Sequence, residues 1–401
     1  MPAWSHEMTD YIPFVTTPND CSIAGKLYSD AAAIRVSLER IDQIRELLPS
    51  GPKRWLDPAI DGLHHKDIGK LSDKYRAHLH QFTGYAKIAD AQFQQNPQKD
   101  TVKSFVFAAL DRCNKEKPDW LSVPQLPLVN DTSRNKINKL LAETSKEWKQ
   151  EKAFEGKLLL PAIFTHQGQL NNKTARNKKI TWIVNCYSAA SADGVWAVDS
   201  SLYDQEGANT FDHRFPSLRY LHEELNKALP EGVITVCGPY WGMNLVLWAR
   251  GLVSYAGIGL GSTYKYNIPG AKLPQGNVRI ALSPLRRWAT VNADLKEWLN
   301  DAVSALPLGD SAATEFANLE KDFSKYLHDR ILARTQVAGF YKSWFHKFSK
   351  LPMAGRALAL FQDLSSSYVL GKGLQKFPLP EEEGTGRRPA RVAKQFMMNC
   401  L

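Results

Sequence analysis

A β/α barrel is the fold class this sequence predicts, and three observations carry it. Eight short apolar runs recur along the chain, at 11–15, 55–60, 120–128, 158–164, 195–198, 233–236, 256–260 and 278–282. Most end abruptly at polar or glycine residues. Amphipathic segments of helix length separate most of them. Strands of a parallel sheet are buried on both faces and need crossover helices between them, so this alternation implies a parallel sheet, and eight strands close it. Such barrels carry their chemistry at the carboxyl ends of the strands. The polar residues that follow each run are therefore the ones to read for function.

The first strand is 11–15. A helix is expected next, capped by Ser29 or Asp30, with Ile34, Leu38, Ile41, Ile44 and Leu47 or Leu48 at helical spacing and a stop at Pro49. The second strand is 54–60. A polar helical stretch over 66–94 breaks near Gly84, and 101–115 is a helix with Phe105, Phe107 and Leu110 to bury. Pro124 and Pro127 remove ladder donors from the third strand, which is short or distorted. A lysine-rich helix over 130–151 leads to the fourth strand, and a helix over 178–190 leads to the fifth. Pro216 opens a helix through Leu229. The sixth strand, an apolar helix over 241–252 and the seventh strand follow. Proline and glycine crowd 264–277, so no regular crossover helix precedes the eighth strand at 278–282. The barrel is thus TIM-like but irregular around strands 3 and 7–8.

This assigns 1–306 to the barrel and 307–377 to a C-terminal helical extension with Phe316, Leu319, Phe323, Tyr326 and Leu327 on one face. Residues 378–401 hold an acidic run at 381–383, then Arg387, Arg388, Arg391 and Lys394, and read as a flexible tail.

A content of 43% hydrophobic and 23% charged residues in 401 fits a packed core and excludes wholesale disorder. No apolar run is long enough to span a bilayer, and the first ten residues lack the pattern of a secretory signal, so a cytoplasmic protein is expected. The cysteines Cys21, Cys113, Cys186, Cys237 and Cys400 are scattered. That spacing excludes a disulfide framework or zinc knuckle and suits a reducing compartment. The formal charge of +10 draws phosphate-rich partners, nucleic acid included.

Position in the fold selects the candidate residues. After the seventh strand come Gly257, Gly259, Gly261, Ser262 and Thr263, and after the eighth come Arg286 and Arg287. Barrels that bind phosphate hold it on these two loops, through exposed backbone N–H groups. Gly259 and Gly261 permit close approach, the hydroxyls of Ser262 and Thr263 donate, and Arg286 or Arg287 pairs with the anion. Asp57, Asp61, His64, His65 and Asp67 cluster at the second exit, where Asp61 is an acid/base candidate and the Asp-Pro and Asp-Gly pairs also read as plain turns. Asp199 ends the fifth strand and His166 the fourth, which makes them catalytic candidates beside Asp61. Tyr240 and Trp241 follow the sixth strand and offer rings to a flat ligand, or pack beneath the barrel's cover. At 340–350, aromatics alternate with Lys342, Lys347 and Lys350: either a helix burying its rings, or a surface for nucleic acid or a protein partner.

Residues 256–262 are similar to the glycine-containing base-recognition strand of the tRNA-guanine transglycosylases. The cysteine-rich zinc site of that family is absent and its paired aspartates have no counterpart here, so membership does not follow. The sequence thus implies an enzyme, a hydrolase or transferase, acting on a phosphate-bearing small molecule, nucleotide or nucleic acid. The alternative is a non-catalytic barrel that binds nucleic acid or protein within a multiprotein system. No residue pattern names a cofactor or a metal site.

Overall fold

Eight parallel strands close on themselves in the computed structural model, each hydrogen-bonded to the next and the last to the first. The structure describes residues 10–64, 71–129, 133–166, 168–202, 208–260, 266–268, 277–379 and 388–401, without the side chains of 208–213. In order the strands are β1 (Tyr11–Val15), β2 (Ala33–Ser37), β3 (Lys53–Asp57), β4 (Trp120–Ser122), β5 (Lys157–Phe164), β6 (Gly194–Asp199), β7 (Ile234–Cys237) and β8 (Tyr255–Gly259). Closure falls between β8 and β1, where Tyr11 pairs with Ala256 and Phe14 with Gly259.

The number eight is correct, but its membership differs from the sequence reading in two places. Residues 33–37 form β2, where a helix was expected. Ile34 and Val36 are β-branched and alternate with Ala33, Arg35 and Ser37, and all five are buried, as a strand enclosed on both faces requires. Asp30 does not cap a helix; it accepts a hydrogen bond from Tyr11 Oη at 2.9 Å and pairs with Lys342 at 3.0 Å. The apolar spacing that suggested a helix comes instead from short turns over 38–47 that bury Leu38, Ile41 and Ile44. Conversely, 278–282 is not a barrel strand. Its β9 (Arg279–Leu282) pairs antiparallel with β10 (Arg287–Thr290) in a separate hairpin.

The proline effect on β4 appears as expected. That strand is three residues long, and the chain then rejoins β5 only through a bridge between Leu128 and Phe164. Pro216 lies inside the helix Ala208–Ala228 and does not open it.

Two hydrophobic cores result among the described residues. The larger fills the barrel and its helical coat. The smaller joins Ile280 and Leu282 of the hairpin to Trp298, Leu299, Phe316 and Phe323, so it draws on both sides of the expected boundary at 306. The helices Arg330–Ser349 and Met353–Gly373 return to the barrel and bury Tyr341, Trp344, Phe345, Leu360 and Leu364 in the larger core. Residues 391–400, expected in a mobile tail, form a helix as well. Phe396 is fully buried, stacks on Phe215 at 5.5 Å and fills the space a Cβ on Gly242 would take. Gly242 has φ +66°, so both backbone and space call for glycine there. No described helix is long and apolar enough to cross a membrane.

Candidate functional site

Two buried carboxylate–arginine clusters stand at the carboxyl ends of the strands. The first is built by β2 and β3. Their register sets Arg35 beside Trp55 and Ser37 beside Asp57, so an arginine in mid-strand points into the barrel while Asp57 ends the next strand. The Arg35 guanidinium lies among aromatic faces, 4.6 Å from the Trp196 ring centre, 4.7 Å from Phe14 and 5.4 Å from Tyr266. It ion-pairs with Asp57. Its Nε has no acceptor among the described residues.

Beyond Asp57 the chain turns sharply through Ala59, which has φ +55°. Asp57 Oδ1 accepts from the Ala59 N–H at 2.8 Å, Tyr75 Oη donates to the Ala59 carbonyl at 2.6 Å, and His78 Nε2 donates to the Pro58 carbonyl at 2.9 Å. This bracing returns Asp61 to the cluster, where it accepts a hydrogen bond from Tyr266. Arg35, Asp57 and Asp61 are each 2% exposed.

The electrostatics follow from that count of charges. Burial first, and then the Asp57 carboxylate, push Asp61 up to about 7; the Tyr266 hydroxyl and Arg35 pull it back only in part. With a proton on Asp61 the set is neutral overall, one guanidinium against one carboxylate. Burial opposes the charge of Arg35, but Asp57, Tyr266 and Asp61 hold it protonated above its ordinary range. Burial pushes the Tyr266 hydroxyl well up, and Asp61 adds to that. His78 is held neutral, down to about 4, by burial.

The second cluster lies at the end of β6. Asp199 Oδ1 accepts from the Ser201 N–H at 3.0 Å and from its hydroxyl at 2.7 Å, and Oδ2 pairs with Arg214 of the helix Ala208–Ala228. Tyr240 Oη accepts from the Asp199 N–H. Burial raises the Asp199 pKa although Arg214 and Ser201 oppose it. Arg214 is 1% exposed, and its Nε and Nη1 have no hydrogen-bond partner among the described residues. The rings of Trp196, on β6, and Tyr266 meet edge to face at 5.0 Å beside the Arg35 cluster.

The other expected residues are placed as follows. His166 is exposed, and its Nδ1 accepts from the Gly168 N–H at 3.1 Å, within its own loop. Gly259 is the last residue of β8, while Gly261, Ser262, Thr263, His65 and Asp67 lie outside the described residues. The arginine that reaches this exit is Arg334, whose Nε donates to the Leu260 carbonyl at 2.8 Å and whose guanidinium pairs with Asp20. Arg286 and Arg287 sit on the antiparallel hairpin and so do not follow a barrel strand. Arg286 makes a two-pronged pair with Asp363 at 2.7 and 2.8 Å, and Arg287 is fully buried.

Tyr240 and Trp241 are 4% exposed; Trp241 stacks on Tyr341 at 5.1 Å, beneath the helix Arg330–Ser349. That helix buries its rings, and Lys347 pairs with Asp363. Burial pushes the Cys237 thiol strongly up, away from nucleophilic use. Among the described residues, no three His, Cys, Asp or Glu side chains gather as metal ligands do.

Sequence reasoning passed over Arg35 and Tyr266, and gave Arg214, among the polar residues after the fifth strand, no role of its own. A cation between Ile34 and Val36 is the one signal that could have drawn attention to Arg35, since a charge within an apolar strand needs a buried partner.

No protein-family model matches this chain, and no curated protein does. A solved structure it resembles is orotidine 5′-phosphate decarboxylase from Pyrococcus horikoshii OT3, at 12% identity and TM-score 0.32, over 63% of this chain and 90% of that one. A likeness at that level says nothing of ligand or reaction.

Proposed function

We propose that this protein is an enzyme acting on a phosphate-bearing ligand at the carboxyl end of its barrel, with Asp61 as the group that gives and takes a proton. One observation carries the reading: a buried guanidinium whose Nε and Nη1 have no acceptor among the described residues, Arg214, shares a barrel face with a buried carboxyl that titrates near neutrality, Asp61. Buried N–H groups left without acceptors are costly, and an anionic ligand offsets that cost. A general acid or base works best with a pKa near the operating pH.

Asp57 and Arg35 set the Asp61 pKa and act as positioning residues. Asp199 holds Arg214 in place. Gly259 with Gly261, Ser262 and Thr263 remains the loop proposed to approach phosphate through its backbone. His166, Tyr240 and Trp241 have protein partners and are given no part in the proton transfer, and Arg286 and Arg287 none in phosphate binding.

Calorimetric titration with inorganic phosphate and nucleoside monophosphates, paired with mass spectrometry of the incubated mixtures, tests the proposal. A phosphorylated compound should bind and be converted. Arg214→Met should weaken binding by about tenfold or more, while Asp61→Asn should retain binding and lose turnover. Full turnover by Asp61→Asn, or no binding of any phosphorylated compound by the wild type, overturns it.

A further inference from the structure

One inward-facing hydroxyl at the barrel mouth belongs to neither cluster. Arg35, on β2, reaches the Trp196 ring of β6, which stands across the ring of strands, so it points inside the barrel. Alternate residues of a strand share a face, and Ser37, the last residue of β2, therefore points inside as well. The register sets Ser37 beside Asp57 of β3 on one side. On the other, β1 and β2 pair through Val15 and Val36, which brings Thr16 to its level. Ser37 is 4% exposed, and its Oγ has no hydrogen-bond partner among the described residues.

The neighbours of Ser37 are engaged elsewhere. Thr16 Oγ1 donates to Asp20 at 2.8 Å. Asp57 gives Oδ2 to Arg35 and Oδ1 to the Ala59 N–H. Ser37 also stands just before the turn Leu38–Arg40, where a serine hydroxyl ordinarily accepts from a backbone N–H, yet it makes no such bond. One inward position below, Arg35 Nε is a second buried group without an acceptor among the described residues. An unbonded buried hydroxyl is costly, and a ligand atom that bonds it removes the cost. A phosphate oxygen does not suit this place. Asp57 matches the charge of Arg35, and with a proton on Asp61 no surplus positive charge draws an anion here, while the adjoining Asp57 carboxylate repels one.

We propose that Ser37 is a ligand-contacting residue of this site, its hydroxyl holding a neutral oxygen of the ligand, a hydroxyl or a carbonyl, beside Asp57. The proposal rests on the reading given above and narrows its substrate class. The ligand is a phosphate ester whose other part is rich in neutral oxygens, a sugar phosphate or a nucleotide, rather than free phosphate or a hydrocarbon phosphate. A serine hydroxyl both donates and accepts, so it serves either kind of oxygen, and Arg35 Nε adds a donor from below. Ser37 acts through contact with the ligand and takes no part in the proton transfer.

Calorimetric titration of the wild type, Ser37→Ala and Ser37→Cys with ribose 5-phosphate, cytidine 5′-monophosphate and phenyl phosphate tests it, beside thermal melts without ligand. Because the hydroxyl has no partner to lose, both variants should melt at or above the wild-type midpoint. Their affinity for an oxygen-rich ester should fall by about threefold to tenfold, and that for phenyl phosphate should not change. A loss with ribose 5-phosphate assigns the contact to a sugar hydroxyl, and a loss with cytidine 5′-monophosphate alone assigns it to the base carbonyl; both support the proposal. A lowered midpoint in both variants shows a hydroxyl already bonded within the protein and overturns it. So does unchanged affinity for both oxygen-rich esters, or an equal loss with phenyl phosphate. In these cases a loss of phenyl phosphate binding by Arg214→Met leaves the phosphate reading standing, whereas a wild type that binds none of the three compounds overturns both.

Discussion

The two arginine clusters at the barrel mouth hold the same kinds of group in different proportion. At β2 and β3 one guanidinium serves two carboxyls, Asp57 and Asp61; at β6 one carboxylate, Asp199, holds a guanidinium whose Nε and Nη1 are left over among the described residues. An excess of acid is relieved by a proton, and Asp61 accordingly titrates near neutrality. An excess of donors cannot be relieved that way, since arginine does not give up its proton. It can be relieved only by an acceptor. The lesson is that what a buried ion pair leaves over, rather than the pair itself, indicates what a site can do.

Breaking the first cluster at its cation should have the largest effect. Arg35→Met leaves two carboxyls facing aromatic rings without a counter-charge, and should cost about 3–5 kcal/mol in a urea or thermal melt. Adding Asp57→Asn should recover part of that loss; a double variant no better than the single would show that lost ring packing, not charge, dominates. Asp199→Asn should cost less, about 2–4 kcal/mol, because Ser201 and Tyr240 still bond at that position while Arg214 loses its counter-charge.

The pH dependence of stability sharpens the comparison. Asp61 is raised in the folded protein, so between about pH 4 and about 7 the folded chain keeps a proton that the unfolded chain releases. Its contribution is fully present below about pH 4 and is lost as pH rises through about 7. The stability of Asp61→Asn relative to the wild type should therefore climb across that window, by about 1–3 kcal/mol. Arg214→Met removes a charge that opposes the effect of burial on Asp199, so that carboxyl should rise further and the variant should lose stability relative to the wild type as pH rises, the opposite sign to Asp61→Asn. The smallest effect is expected at His78, which is depressed to about 4 by burial. There the unfolded chain takes up a proton first, so stability falls as pH drops from about 6.5 toward 4, and His78→Gln should remove that acid-side loss, about 1–2 kcal/mol. Melts of each variant at matched ionic strength read all of these slopes.

Much of the barrel was legible because its strands are continuous apolar runs, and seven of the eight runs fall on barrel strands. β2 escaped because two alanines precede it and a third opens it, and because its apolar residues fall into helical spacing with those of the following turns. The hairpin strand β9 was counted in its place, since an apolar run does not show whether its partner lies parallel or antiparallel. The site was legible to the extent that strand ends are legible. Position in the sequence put Asp61 and Asp199 at strand exits, and the structure places them there, buried. Arg35 and Tyr266 were not legible, because their roles depend on an inward-facing register and on a residue just past β8 that hydrogen-bonds to Asp61, beyond β3. Arg286 and Arg287 were drawn in by the miscounted strand.

The seating of Phe396 against Gly242 has a consequence for how the molecule is made. A segment synthesised long after β8 completes the wall behind β7, so the ring of strands emerges with an apolar gap in its coat that closes only when 391–400 arrives. Shortened chains ending before Arg391 should consequently associate through that gap, and a free peptide spanning 388–401 should bind them and restore monomers.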